Sequence, residues 1–161
     1  MFEKFGEFDS WKEINEAAAA QLEEGDHEAI FTIAKENGID EEDAMDFIDG
    51  KVDTLVNPVM AANGKLDVEA AELKPEEIMD DWLTYIRIRC LEDEQMALAV
   101  RRKGKSLKGC IAELLKWSFK NAKSVDKDVA KAAGVPGQVK LGIPGMGRAK
   151  MIITEYYLGG N

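Results

Sequence analysis

The sequence predicts an all-α protein, with a small acidic helical bundle at its N-terminal end and a basic helical bundle at its C-terminal end. Three observations carry this. Apolar residues recur at three- and four-residue spacing through most of the 161 residues. Ser, Asp and Asn stand before those stripes and Gly after them, as helix starts and stops require. Charge is divided along the chain: residues 1–81 hold 24 Asp and Glu against 6 Lys and Arg, and residues 82–161 hold 7 against 15.

The first helix follows Asp9-Ser10, with Trp11, Ile14, Ala17, Ala18 and Leu22 along one face. Ser10 and Glu13 have the spacing of a capping box. A second helix opens at Asp26 and runs to Asn37, burying Ile30, Ile33 and Ala34, and Gly38 stops it. Asp40 caps a third helix from Glu41 to Asp49, with Ala44, Phe47 and Ile48 inward and Gly50 at its end. Residues 1–50 therefore read as an acidic three-helix subdomain.

Residues 51–74 read as a connecting segment. Asn57-Pro58 has the form of an N-cap followed by a proline in the first helical position. Asn63-Gly64 should interrupt the helix so begun, leaving Asp67 to Leu73 as a second piece.

Residues 75–161 read as the basic subdomain. Pro75 opens a helix with Ile78, Trp82, Tyr85 and Ile86 inward, ending near Cys90. Asp93 caps the next, which carries Met96, Ala97 and Val100 and stops at Gly104. Ser106 caps the longest, Leu107 to Ala122, with Leu107, Cys110, Ile111, Leu114 and Ser118 on one face. A short helix starts at Ser124 with Asp126 and ends at Gly134. A Pro/Gly-rich loop follows, with a brief extended piece at Val139–Leu141, and a last helix runs from Met146 to Leu158.

The composition argues against catalysis. His27 is the single histidine and reads as an exposed helix residue, which leaves no His-based general base, triad or metal cluster. Cys90 and Cys110 lie in helical segments at a spacing that is neither a disulfide framework nor a metal site. Gly104-Lys105-Ser106 imitates the end of a phosphate-binding loop, but Ala99 stands where the motif needs glycine and a helix precedes it instead of a strand. No enzyme activity and no cofactor are expected. The start of the chain lacks a signal peptide's basic and apolar regions, and no window approaches the roughly 18 apolar residues of a membrane span. A cytoplasmic location without membrane contact is the expectation.

Three features suggest binding. Asp40, Glu41, Glu42, Asp43, Asp46 and Asp49 form an acidic row, which is either a solvated face or a mimic of a nucleic-acid backbone. Arg101, Arg102, Lys103 and Lys105 lead into a helix on which Lys108, Lys116 and Lys120 share a face. That basic face could hold phosphates, an acidic protein surface, or the chain's own acidic half, within one chain or between chains of a homo-oligomer. Trp117 and Phe119 read as packing residues, or as partner anchors if exposed. Gly142-Ile143-Pro144-Gly145-Met146-Gly147 resembles the hairpin of helix-hairpin-helix DNA-binding motifs. Gly145 and Gly147 would offer backbone N–H groups to a phosphate, and Arg148 and Lys150 would add charge. The alternative is a Gly-rich turn that caps the last helix.

The segment from Asp81 onward carries a further pattern: Trp82-Leu83-Thr84-Tyr85-Ile86, Glu92-Asp93-Glu94-Gln95-Met96-Ala97, Lys103-Gly104-Lys105-Ser106-Leu107-Lys108-Gly109-Cys110-Ile111, and Ile153-Thr154-Glu155-Tyr156-Tyr157. It resembles the PcfK-like family of mobile-element proteins. The resemblance covers about half of the chain, with Lys105-Ser106 and Cys110 its most specific part, and leaves the acidic bundle outside. It implies a phage or mobile-element origin. Because some PcfK-like proteins are anti-CRISPR inhibitors, it also implies that the partner is a type II CRISPR effector nuclease, bound through its protein or its guide complex. The alternative that the residues themselves support is a DNA-binding accessory protein of a mobile element.

Overall fold

The computed structural model describes residues 2–160, and their regular structure is helical apart from one two-residue ladder. The chain divides into two compact units, residues 1–108 and residues 109–161. In the first lie α1 (Trp11–Glu23), α2 (His27–Glu36), α3 (Glu41–Ile48), α4 (Pro58–Leu73), α5 (Ile78–Glu92) and α6 (Glu94–Arg101). The boundary falls inside α7 (Leu107–Asn121). The second unit continues with β1 (Lys123–Ser124), α8 (Lys127–Ala132), β2 (Lys140–Leu141) and α9 (Met146–Leu158).

Local sequence signals explain most helix ends. Ser10 Oγ accepts the Glu13 N–H at 3.2 Å, while the Glu13 carboxylate reaches past Ser10 to the Asp9 N–H at 2.7 Å. Asp26 accepts the Ala29 N–H at 3.0 Å, and Asn57 accepts that of Met60 at 2.8 Å. Gly38, with φ at 67°, turns the chain out of α2. α1, α2 and α3 close over Ile14, Ala18, Ile30, Ile33, Ala44 and Phe47, and Leu55, Val56 and Ala61 complete that core. Asn15 ties this core to the following segment: its side chain accepts the Val56 N–H and donates to the Val56 carbonyl, both at 2.9 Å.

Three expectations give way in the folded chain. Residues 51–74 are not a connector, and Asn63-Gly64 does not interrupt a helix. α4 is continuous through it and packs most extensively on α6, with further contacts to α5 and α1. The reason is tertiary. Gly64 meets the backbone of Gly38 and Asn37 so closely that a methyl group on either glycine would overlap the other segment's main chain. Glycine here permits the approach of two backbones, and that contact outweighs its poor helix propensity. The division at residue 75 likewise gives way to one at 108/109, since α5 and α6 pack on α4. The charge division moves with it. The first unit carries 27 Asp and Glu against 13 Lys and Arg, the second 4 against 8.

In the second unit, β1 and β2 pair antiparallel, Lys123 opposite Leu141 and Ser124 opposite Lys140, so the expected extended piece is one side of a two-residue ladder. The Val125 N–H to Val139 carbonyl bond, at 2.8 Å, prolongs the pairing. Gly142 follows directly and lies against the Ser118 carbonyl and Ala122, which holds the loop on α7.

Candidate binding surfaces

The feature that sequence reading missed is a pair of buried cations in the first unit. Lys65 on α4 and Arg101 at the end of α6 are each 1% exposed. Arg101 points its three nitrogens three ways. Nε donates to the Phe8 carbonyl at 3.1 Å, one terminal nitrogen to the Ala61 carbonyl at 3.4 Å, and the other to Asn37 Oδ1 at 2.5 Å. The Phe2 ring covers its guanidinium at 5.5 Å. Lys65 Nζ donates to the carbonyls of Arg102 at 2.8 Å and Lys105 at 2.7 Å and pairs with the Glu7 carboxylate at 2.9 Å. Burial lowers the Arg101 pKa to about 10, against the pull of Glu7 and Glu69, so it remains charged at neutral pH.

Arg101 therefore does not belong to the expected basic face. It is an internal tie between the N-terminal segment, α2 and α4. One signal for this lay in the sequence: Lys65 and Arg101 each stand four residues after an inward alanine, Ala61 and Ala97, on a buried stripe. The surrounding Lys-Gly-Lys-Ser-Leu run has an internal role as well. Its carbonyl at Lys105 holds Lys65, and its Leu107 N–H is accepted by Glu69 at 3.0 Å.

Glu69 is a buried carboxyl whose pKa is raised. Burial is the cause, opposed by the Leu107 N–H and by the Lys65 and Arg101 charges, with Glu7 adding to the rise. A carboxyl with a raised folded-state pKa binds its proton more tightly when folded. Its contribution to stability is therefore full at low pH and falls as pH rises from the ordinary carboxylate range through the raised value. Glu69→Gln keeps an acceptor for Leu107 and cannot titrate. In urea unfolding between about pH 4 and about pH 7, the stability of this variant relative to the parent should grow with pH. A constant difference across the interval contradicts this.

The acidic row lies on and around α3 as expected. Asp40, Glu41, Glu42 and Asp49 are exposed, and Asp43 and Asp46 are half-buried. Asp40 occupies the N-cap position but makes no side-chain cap bond. Asp46 pairs with Lys51 at 2.9 Å. Asp40 and Glu41 also border a surface depression shared with Lys4, Phe31, Lys35 and Ile39, so this edge of the row is electrostatically mixed.

The basic residues are split between the units. Arg102, Lys103 and Lys108 are exposed and Lys105 is half-buried in the first. In the second, Lys116 and Lys120 are exposed on α7, and Lys116 pairs with Glu113 at 2.6 Å. α9 begins at Gly145 without a side-chain cap bond, and Gly145, Gly147, Arg148 and Lys150 are all exposed. The chain enters this turn from β2 and not from a helix, so the helix-hairpin-helix arrangement is incomplete on its leading side. Arg148 lies 5.8 Å from the Trp117 ring.

Neither thiol is placed for nucleophilic chemistry. Both cysteines are buried, and burial pushes the Cys90 thiol up to about 12, which keeps it protonated. Among the described residues no group of three or more His, Cys, Asp or Glu side chains is placed to hold a metal ion. Among them, too, no helix is long and apolar enough to cross a membrane.

Compared with known proteins, the chain matches no family model, no curated protein and no solved structure.

Proposed function

We propose that this chain is a non-enzymatic, cytoplasmic binding protein of a phage or other mobile element, and that it inhibits a type II RNA-guided CRISPR nuclease. The observation that carries the reading is the acidic first unit with its solvent-facing carboxylates around α3. Such nucleases hold nucleic acid in positively charged channels. A rigid helix edge of carboxylates can occupy such a channel in place of phosphates. The PcfK-like pattern centred on Lys105-Ser106 and Cys110 supports the same assignment. It coincides with the place where α7 is fastened to Lys65 and Glu69.

The test is DNA cleavage by purified type II nucleases in the presence of this protein. Inhibition should appear at near-stoichiometric ratio and weaken with salt, because exposed charges are screened. A combined Asp40→Asn, Glu41→Gln, Glu42→Gln and Asp46→Asn variant should need about tenfold more protein or greater for the same inhibition. Unchanged cleavage and no co-purification across several nucleases remove the reading.

A second reading is a nucleic-acid-binding accessory protein of a mobile element. The observation favouring it is the uncapped start of α9 beside Arg148 and Lys150, in a unit of net positive charge.

A further inference from the structure

Phe119 is 87% exposed, the most exposed large apolar side chain among the described residues. Its neighbours around α7 are not random. With ~100° between successive helical residues, Phe119, Lys116 and Lys120 follow one another around the helix at steps of ~60° and ~40°, then Glu113, which pairs with Lys116 at 2.6 Å, ~20° further on, and Trp117 ~40° beyond it. Trp117 is half-buried and carries Arg148 over its ring at 5.8 Å. The arc beside the Phe119 ring is thus aromatic, lysine, lysine, closed on its far side by the Glu113 carboxylate, with Trp117 and Arg148 of α9 beyond, all within the second unit.

We infer that this arc of α7 binds single-stranded nucleic acid, with a base stacked on the Phe119 ring and neighbouring phosphates held by Lys120 and Lys116. The inference rests on the second reading, that this unit binds nucleic acid, and specifies the class. Three physical points support it. A ring that stands clear of the surface offers its face to a flat partner, whereas an apolar peptide anchor needs a recess. Every base has a π face, so stacking works without sequence preference, and lysines beside the ring follow the backbone. In a duplex the base faces are already stacked on each other, so Phe119 has nothing to cover there. An acidic peptide would satisfy the lysines and leave the ring bare.

Fluorescence anisotropy with the full chain tests this at about 50 mM salt, where phosphate contacts are strong. The probes are a labelled oligothymidylate of about 12 nucleotides, within the span of one such surface, its duplex with oligoadenylate, and polyglutamate as an anionic control. Single strand should bind more tightly than duplex or polyglutamate. Phe119→Ala should weaken single-strand binding by about 5- to 100-fold, the range for loss of one stacked base. Phe119→Tyr should retain it. Lys120→Ala should weaken binding and reduce the salt slope by roughly 0.7, one phosphate's share on a single strand. Because Phe119 is almost wholly in solvent, its replacement leaves the fold intact, which circular dichroism checks. Unchanged single-strand affinity in Phe119→Ala overturns the inference, as does polyglutamate bound equally tightly. Duplex bound as tightly as single strand overturns it while leaving the nucleic-acid reading standing. Binding of neither strand form ends both.

Discussion

Arg101→Met should lower the unfolding free energy of the first unit by about 3–5 kcal/mol, the usual range for removing one partner from a buried charged network. The guanidinium serves three acceptors, the Phe8 and Ala61 carbonyls and Asn37 Oδ1. An acceptor left buried without a donor costs about 1–3 kcal/mol. Methionine fills much of the volume and donates to none of them. Where a buried ion pair lies between two side chains, replacing both by apolar residues can restore stability. That escape is closed at this site, because two of the three acceptors are main-chain carbonyls that no substitution removes. Arg101→Lys keeps the charge and loses the fork, so it should fall between parent and Met variant. The same change should loosen the N-terminal segment, which is held through the Phe8 carbonyl and the Phe2 ring. Urea unfolding gives the energy, and hydrogen exchange at residues 2–9 reports the loosening. A loss below about 1 kcal/mol means that water replaces the guanidinium at little cost, and the account of Arg101 as an internal tie fails.

Gly64→Ala tests a sign. Helix propensity alone predicts that alanine in the middle of α4 stabilises by up to about 1 kcal/mol. The packing predicts the reverse. An added methyl would overlap the Asn37 carbonyl and crowd the Gly38 carbonyl, main-chain atoms that cannot rotate away. The turn after α2 would have to move away from α4, and Asn37 would be drawn from Arg101. Overpacking of this kind costs about 1–3 kcal/mol and more where backbone must move, so a net loss of about 2 kcal/mol or greater is expected. Gly147→Ala in the first turn of α9 is the control. Its methyl meets nothing, so it should be neutral or slightly stabilising. If Gly64→Ala is as stable as the parent in urea unfolding, the glycine contact does not hold the Asn37-Gly38 turn against α4.

These two sites mark the limit of sequence reading. Glycine at position 64 has one local meaning, a weak helix, and one tertiary meaning, a place where backbones touch. Only the second matters once the turn after α2 lies across it. Arg101 reads as part of the exposed basic face by the rule that cations face water, and Lys65 stands out in no motif. Both ride instead on buried stripes, because the turn after α6 and the N-terminal segment bring carbonyls and Glu7 to them. Phe119 shows the converse. A helical aromatic two residues after Trp117 reads equally as core or surface, and its exposure depends on what the other elements leave uncovered.

What the sequence by itself determined was every helix but one in outline, the caps at Ser10, Asp26, Asn57 and Asp93, and the division of charge along the chain. Those are local properties, set by side-chain period and by hydrogen bonds a few residues long. What only the tertiary structure decided was the continuity of α4, the boundary at 108/109, the burial of Lys65 and Arg101, and the exposure of Phe119. Each of these depends on contacts between residues far apart in the chain; periodicity marks Lys65 and Arg101 as riding on buried stripes, but it does not carry the distant carbonyls and Glu7 that let a cation be buried there.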